Sequence, residues 1–311
     1  MRVIFMGTPD FAVGTLEAIV AAGHEVVLAV SQPDKAVGRS KALKYTPVKA
    51  CALSHGIEVY QPRRVREAEC IEHLRKYRPD IIIVVAFGQI IPKEILEMPP
   101  CGCINVHASL LPQYRGAAPI QWAVINGDTI TGVTTMRMAE GIDTGDMILK
   151  EKVELRVDET GGSLFERLAD VGARLCVQTI AAIENGTAVY TPQDHGAATH
   201  VGKIQKELGN IDWSRTAESI ECLIRGLDPW PSAYTRLADK TLKIWKARVV
   251  SHEIKGAPGT VVGVDKKHIF VQAGNGVLDL LEIQLEGKRR MTAETFLNGF
   301  ALEEGEKLHR C

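Results

Sequence analysis

Three side chains in this sequence carry the chemistry of proton transfer. Asn105 and His107 lie two apart in CINVHA (103–108), and Asp143 sits in EGIDTGDM (140–147). On a strand, residues two apart share a face, so the amide and the imidazole point into the same space. The amide can donate to a developing oxyanion, the imidazole can give or take a proton, and the carboxylate can orient and charge the imidazole. Glycines around Asp143 let the backbone turn tightly enough to bring its carboxylate to a ligand. Spacing alone leaves a second reading open: an asparagine that ends a strand, a buried histidine with a partner, and a turn aspartate before Thr-Gly. Ser109 follows closely, but no G-x-S-x-G surrounds it, so a serine-hydrolase nucleophile has little support.

The elements that must position these residues are short apolar runs alternating with helical stretches. RVIFMG (2–7), HEVVLAV (24–30), IEVYQP (57–62), DIIIVVAFG (80–88) and CINVHA read as strands. Helical patterns cover Phe11 to Ala22, a stretch before residue 57, Glu67 to Tyr77, Lys93 to Glu97 and Pro119 to Ile125. This alternation predicts an α/β fold, a Rossmann-type, doubly wound and mostly parallel sheet. Such sheets bind ligands outside the carboxyl ends of their strands, where His107 and Phe87-Gly88 fall. Gly7 is followed by Thr-Pro-Asp, so the dinucleotide fingerprint is absent and a nicotinamide or flavin site is rejected.

The texture changes after about residue 185. NGTAVYTPQDHGAATHVGKI (185–204) reads as a linker; beyond it come a helix at Ala217 to Leu227 and five short strands, AYTRL, TLKIWKARVV, GTVVGV, HIFVQA and GVLDLLEIQLE. Short strands separated by glycine turns suggest a small barrel. The expected division is a catalytic domain at 1–186, a linker at 187–205 and a barrel domain at 206–311.

The chain has 311 residues, 45% apolar and 24% charged, with a formal net charge of -1. It is long enough for two domains, and any nucleic-acid contact must come from local basic patches rather than overall charge. Seven dispersed cysteines fit a reduced compartment better than a disulfide frame. Cys101 and Cys103 form a C-x-C without a second pair at zinc spacing, so no metal is expected. No apolar run reaches the ~18 residues of a membrane span, and MRVIFMGTP lacks a signal-peptide cleavage pattern, which together point to the cytoplasm.

GCINVHASLLPQYRGAAPIQWAVINGD followed by TGVTTMRMAEGIDTGDM resembles the signature of the folate-dependent formyltransferases. The likeness extends over essentially the whole chain, through MGTPDFAV, QPDKAVGRSKALKYTPVK (32–49), VVAFGQIIP (84–92), KELGNIDW (206–213) and IRGLDPWPSAY (224–234). The resemblance implies a Rossmann-type formyltransferase domain joined by a linker to a C-terminal OB-like β-barrel domain. It implies Asn105, His107 and Asp143 as catalytic residues. It matches Ser109, Leu110, Leu111 and Pro112 to a tetrahydrofolate-binding segment, and Ala86, Phe87, Gly88 and Gln89 to a loop lining the pterin pocket. The implied reaction takes a formyl group from 10-formyltetrahydrofolate, a co-substrate, to the methionyl amine of initiator tRNA, with no metal, membrane or obligate protein partner. Gln113 departs from the family, which often has arginine there. A formyltransferase for amino sugars and a non-catalytic RNA-binding protein are the rival readings; the first has no reason to keep a basic loop and barrel, and the intact trio argues against the second.

Basic residues then suggest where tRNA would lie. Lys35, Arg39, Lys41, Lys44 and Lys49 face a single acid, Asp34, in the 32–49 stretch. In an arbitrary protein this would be a solvated loop. Here the resemblance matches it to a loop that enters the acceptor arm, with Arg39 at its critical arginine. In TLKIWKARVV, strict alternation places Lys243 and Trp245 on one face and Ile244, Lys246 and Arg248 mostly on the other. Lys243, Lys246 and Arg248 are the expected backbone contacts of the barrel.

Overall fold

In β1 (Arg2–Gly7), every residue from Val3 to Met6 is fully buried. A strand with no polar alternate belongs inside a sheet covered on both faces. The structure, a computed structural model, describes residues 1–37 and 42–311. After β1 come α1 (Asp10–Ala21), β2 (Glu25–Val30), the small hairpin of β3 (Lys35–Val37) and β4 (Ala42–Lys44), α2 (Pro47–Ser54), β5 (Val59–Tyr60), α3 (Ala68–Arg75), β6 (Ile81–Val85), α4 (Lys93–Leu96), β7 (Cys103–His107) and β8 (Arg115–Gly116).

The main sheet has the order β10-β9-β7-β6-β1-β2-β5, where β9 is Ile130–Arg137 and β10 is Met147–Glu154. β5, β2, β1, β6 and β7 run parallel, while β9 is antiparallel to β7 and β10 to β9. The order leaves β1 in both directions, so the switch point lies between β1 and β6. Side chains of α3 and α4 pack on one face, over Ile4, Met6, Ile82 and Val84. On the other face α6 (Gly161–Glu184) lies against Val106 and Val133, and its Phe165 meets Phe11 of α1 edge to face at 5.3 Å.

The longest elements that escape the periodicity argument are β9, β10 and α6. β9 is buried from Thr131 to Met136 and shows no alternation. α6 begins Gly-Gly, a poor helix start by propensity. Its entry is held instead by a reciprocal cap, since Thr160 Oγ1 accepts from Ser163 N–H at 3.0 Å and Ser163 Oγ accepts from Thr160 N–H at 3.0 Å.

The stretch expected as a linker is docked rather than loose. Thr191 exchanges both backbone hydrogen bonds with Met147, Gln193 is buried, and β11 (His200–Val201) pairs in parallel with β8. One compact unit accordingly contains Met1–Gly116, Ile130–Glu154 and Phe165–Val201. The second contains Ala117–Thr129, Leu155–Leu164 and Gly202–Cys311, so α5 (Pro119–Ile125) belongs with it. The cause is side-chain packing: Ile125 clusters with Ile204, Leu223 and Leu227, the last two on or just past α7 (Ala217–Gly226).

The second unit is built on β12 (Ala233–Leu237), β13 (Lys240–Ser251), β14 (Val261–Val264), β15 (Ile269–Gln272), β16 (Val277–Leu285), β17 (Met291–Thr292) and β18 (Leu308–His309), with α8 (Ala293–Leu297) between the last two. The order is β14-β15-β16-β13-β12-β18, and β17 pairs with β16. The end strands also meet: Val261 N–H donates to Glu306 O at 2.8 Å and Leu308 N–H to Gly259 O at 2.8 Å. Two register irregularities in β13 fall between Ile244 and Ala247, and a third lies between Val249 and Ser251. An extra residue reverses side-chain parity. Leu242, Ile244 and Ala247 are therefore buried, and Lys246 and Arg248 join Lys243 and Trp245 on the outer side, which corrects the two-faced expectation.

Six of the seven cysteines are buried or half-buried, and only Cys311 is exposed. Burial drives the Cys103 and Cys176 thiols up to about 12. Among the described residues no helix is long and apolar enough to cross a membrane.

Candidate active site

β7 delivers Asn105 and His107 to one side, as parity requires, with 9% and 6% of their surfaces exposed. Both lie opposite β9, His107 beside Thr134 and Asn105 beside Met136. Asp143 arrives from the β9–β10 connection. Its Oδ1 accepts from Asn105 Nδ2 at 3.3 Å, and its Oδ2 accepts from Gly116 N–H at 2.8 Å. The same Oδ2 lies 3.6 Å from His107 Nδ1, close for charge pairing and longer than a hydrogen bond. His107 Nε2 is 2.9 Å from Tyr114 O. A carbonyl can only accept, so Nε2 carries a hydrogen and Nδ1 is the ring atom whose proton is free to change. The three residues therefore form one cluster in which each polar group has a defined neighbour.

The backbone around this cluster is bent hard. Ala86, Tyr114 and Asp143 have φ of 47°, 57° and 52°. In a residue with a Cβ, the left-handed region costs ~1–2 kcal/mol and must be held by its surroundings. Gly145 holds one side by close approach, because any Cβ there would overlap Arg137 O. Gly116 (φ 101°) allows β8 to press on β11, where a Cβ would lie 2.5 Å from Val201 O. Gln193 completes the enclosure: its Nε2 donates to Asp143 O at 2.8 Å and to Gly145 O at 2.7 Å. Arg115 donates to Gln193 Oε1 from Nε at 3.0 Å and from Nη2 at 2.8 Å, and Nη2 also lies 3.2 Å from His195 Nδ1. Residue spacing carries no sign of Gln193 or Arg115. Thr-Pro-Gln stands in a turn-rich stretch, and the nearer of the two carbonyls that Gln193 binds is 48 residues away.

The folate-matching segments follow the strand ends. Ser109 is fully buried, and its hydroxyl donates to Gln113 O at 2.6 Å. Thr134 Oγ1 donates to Ser109 O at 2.7 Å and accepts from Leu111 N–H at 3.1 Å. Leu111 packs with Met136 and Met147, while Leu110 and Pro112 are half-buried and Gln113 is exposed. Lys150 Nζ donates to Leu111 O at 2.6 Å, and burial lowers the pKa of that ammonium. After β6, Ala86 and Gly88 are exposed, whereas Phe87 is a core residue and Gln89 Oε1 accepts from Val65 N–H at 2.8 Å.

Of the basic residues, Lys35 and Lys44 sit directly across the β3–β4 hairpin and both are exposed. Arg39 and Lys41 lie outside the described residues. Lys49 is already engaged, 2.5 Å from Asp34 Oδ2 and 2.9 Å from Gln61 Oε1. Burial alone would raise the Asp34 carboxyl, but hydrogen bonds from Lys49, Gln61 and Thr46 N–H outweigh it and hold the group below its usual value. In the second unit Lys243 and Arg290 lie over the Trp245 ring, at 5.5 and 4.8 Å from its centroid, and Lys246 is exposed. Arg248 is held by the fully buried Asp279, whose Oδ2 accepts from its Nε at 3.1 Å, from its Nη2 at 2.9 Å and from His268 Nδ1 at 2.9 Å.

Residues 1–180 match the formyl transferase family, and residues 203–301 match the formyl transferase C-terminal domain. The chain is 64% identical over 305 residues to a methionyl-tRNA formyltransferase of Agathobacter rectalis, covering 98% of each chain. It is 54% identical over 315 residues to the protein of the same name from Lachnospira eligens, covering 99% of each. Among solved structures it resembles a sugar 3N-formyl transferase solved with dTDP and 5-N-formyl-THF, with a TM-score of 0.68 at 20% identity, over 93% of this chain and 99% of that one. At that identity the likeness speaks for the fold. The family match over more than half the chain and the full-length relatives together establish that the chain belongs to the formyltransferase family.

Proposed function

We propose that this chain transfers the formyl group of 10-formyltetrahydrofolate to the free amine of methionine on initiator tRNA. The observation that carries the reading is the Asn105–His107–Asp143 cluster at the end of β7, in a chain similar over its whole length to enzymes named for that reaction.

The strand ends suit the folate. Ala86 and Gly88 are exposed residues at left-handed φ of 47° and 81°, with Phe87 between them in the core, and a pterin with its alternating donors and acceptors would meet the loop there. Ser109 to Pro112 form the adjoining wall, stitched to β9 through Thr134. The donor supplies a formyl carbon activated by its attachment to N10.

The residues of the chain do the rest. Attack by a neutral amine places negative charge on the formyl oxygen. Asn105 Nδ2 has two hydrogens and gives one to Asp143, leaving the second for that oxygen. His107, with Nε2 committed to Tyr114 O, carries its exchangeable proton on Nδ1. Asp143 Oδ2, 3.6 Å from that nitrogen, helps to move the amine proton toward N10.

The second unit is read as an OB-like barrel, supported by the hydrogen bonds between its end strands. Lys243 and Lys246 on its outer side, with Lys35 and Lys44 on the β3–β4 hairpin and with Arg39 and Lys41, would carry phosphate contacts. Lys49 and Arg248 have carboxylate partners and contribute less, by shaping the surfaces that present the others. The cytoplasm is the expected location.

The test is to incubate the protein with labelled 10-formyltetrahydrofolate and charged initiator tRNA, charged elongator tRNA or a nucleotide-linked amino sugar. Formylmethionine on initiator tRNA alone is the expected result. Label on the sugar and none on tRNA would replace the reading.

A further inference from the structure

Asp143 is gripped at two ends. Asn105 and Gly116 hold its carboxylate, and Gln193 holds its backbone carbonyl together with that of Gly145. The second grip answers a physical demand. The loop carries a non-glycine residue at φ 52°, which relaxes unless it is restrained. It also turns two carbonyls inward, and a buried unpaired acceptor costs ~1–3 kcal/mol. One primary amide has the two hydrogens needed for two carbonyls.

The other end of Gln193 is as specific. Its Oε1 receives two hydrogen bonds from Arg115, and Gln193 and Arg115 are only 5% and 3% exposed. Arg115 can only donate, so His195 Nδ1, its other partner, is an acceptor there. A buried guanidinium on the amide oxygen withdraws charge toward that oxygen and strengthens the two N–H donors at the far end. Arg115 also immediately precedes Gly116, whose N–H binds the Asp143 carboxylate. Residues 115–116 and 193 thus fix the carboxylate and the backbone of one residue from a common base.

We propose that Gln193, polarised by Arg115, is a positioning residue for formyl transfer that sets the separation of Asp143 Oδ2 from His107 Nδ1. This rests on the reading of Asn105, His107 and Asp143 as the reacting cluster. Gln193 does not touch substrate; it acts through the loop. A displacement of ~1 Å at a reacting group costs roughly 100-fold in rate, which is the scale at stake.

The test uses the full chain with 10-formyltetrahydrofolate and charged initiator tRNA. Gln193→Glu keeps the Arg115 contact, loses the two donors and sets a carboxylate against two carbonyls. Gln193→Met keeps the volume and loses every hydrogen bond, and it replaces the first variant should that fail to fold. The expected result is a kcat lower by ~10–100-fold with both KM values within ~3-fold of wild type, because the interaction bears on the transition state rather than on binding. Asp143→Asn is measured alone and combined with the Gln193 variant. If Gln193 acts through Asp143, the double variant is no slower than Asp143→Asn. A wild-type kcat in the Gln193 variants beside a crippled Asp143→Asn overturns the positioning role and leaves the reacting cluster standing. Multiplying losses in the double variant, or a KM rise without a kcat loss, also overturns it. Near wild-type turnover in Asp143→Asn would instead remove the reading on which the inference rests.

Discussion

His107 is a buried histidine with a partner and, in the function proposed above, also the centre of the reacting cluster, so the two readings of the isolated N-x-H pair are not exclusive. Tyr114 O fixes one ring nitrogen, and that fixation leaves the other, Nδ1, to face Asp143. Replacing His107, Asn105 or Asp143 by alanine should lower kcat by at least ~100-fold, since each group acts mainly on the transition state. Circular dichroism and melting curves would show whether the fold survives. Wild-type turnover in any one variant would take that residue out of the mechanism. Asn105 and His107 could be read as a pair because strand parity is local. Asp143 could not be joined to them by spacing, because the 38 residues from Asn105 to Asp143 cross β8, α5 and β9.

Among elements, the β9–β10 connection and the β3–β4 hairpin carry the consequences. Gly145 lies against Arg137 O with no room for a methyl group, so Gly145→Ala should disturb Asp143 without touching any reacting atom. We expect kcat to fall by ~10-fold or more, in keeping with the cost of small misplacements; single-turnover rates would show it. At the hairpin base, Lys49→Met should destabilise the protein in a pH-dependent way. The Asp34 carboxyl is depressed in the folded state, so its contribution is present above the unfolded carboxylate pKa and is lost as pH falls through the folded value. The melting-temperature gap between wild type and Lys49→Met should therefore be widest near neutral pH and narrow in acid. A gap independent of pH would show that the contact of the Lys49 ammonium with the Tyr45 ring matters more than the charge pair.

The parallel strands were legible as elements because continuous apolar runs such as IIIVV announce buried strands. β9 and β10 were not, because β9 lacks alternation and its antiparallel partners are known only once the sheet is assembled. The bulge in β13 was equally hidden: no composition cue marks it, yet it decides which way Lys246 and Arg248 face. The segment 187–205 has the composition of a linker, and long-range partners, among them β8, Met147 and the loop at 143–145, give it structure.

For the whole molecule, a net charge of -1 means that tRNA must be drawn by local patches and not by the overall field. Lys35→Ala with Lys44→Ala should weaken formylation and lower the slope of log(kcat/KM) against log[salt], by roughly one unit for each phosphate contact removed, while folate affinity stays unchanged. Arg39→Ala should impair formylation of charged initiator tRNA strongly with donor binding intact. Equal losses in both would mean that the basic stretch supports the folate pocket.

Sulfur chemistry follows from the same burial that builds the core. A thiol reacts as its thiolate, so Cys103 and Cys176, pushed up to about 12, should resist maleimides and mild oxidants at neutral pH. Burial is also the leading cause that raises Cys51, Cys70, Cys101 and Cys222. Cys311, exposed at the carboxyl terminus, is left as the natural attachment point. One equivalent of a fluorescent maleimide should label that residue first, which peptide mass mapping can check, and give a reporter for tRNA binding without an engineered cysteine.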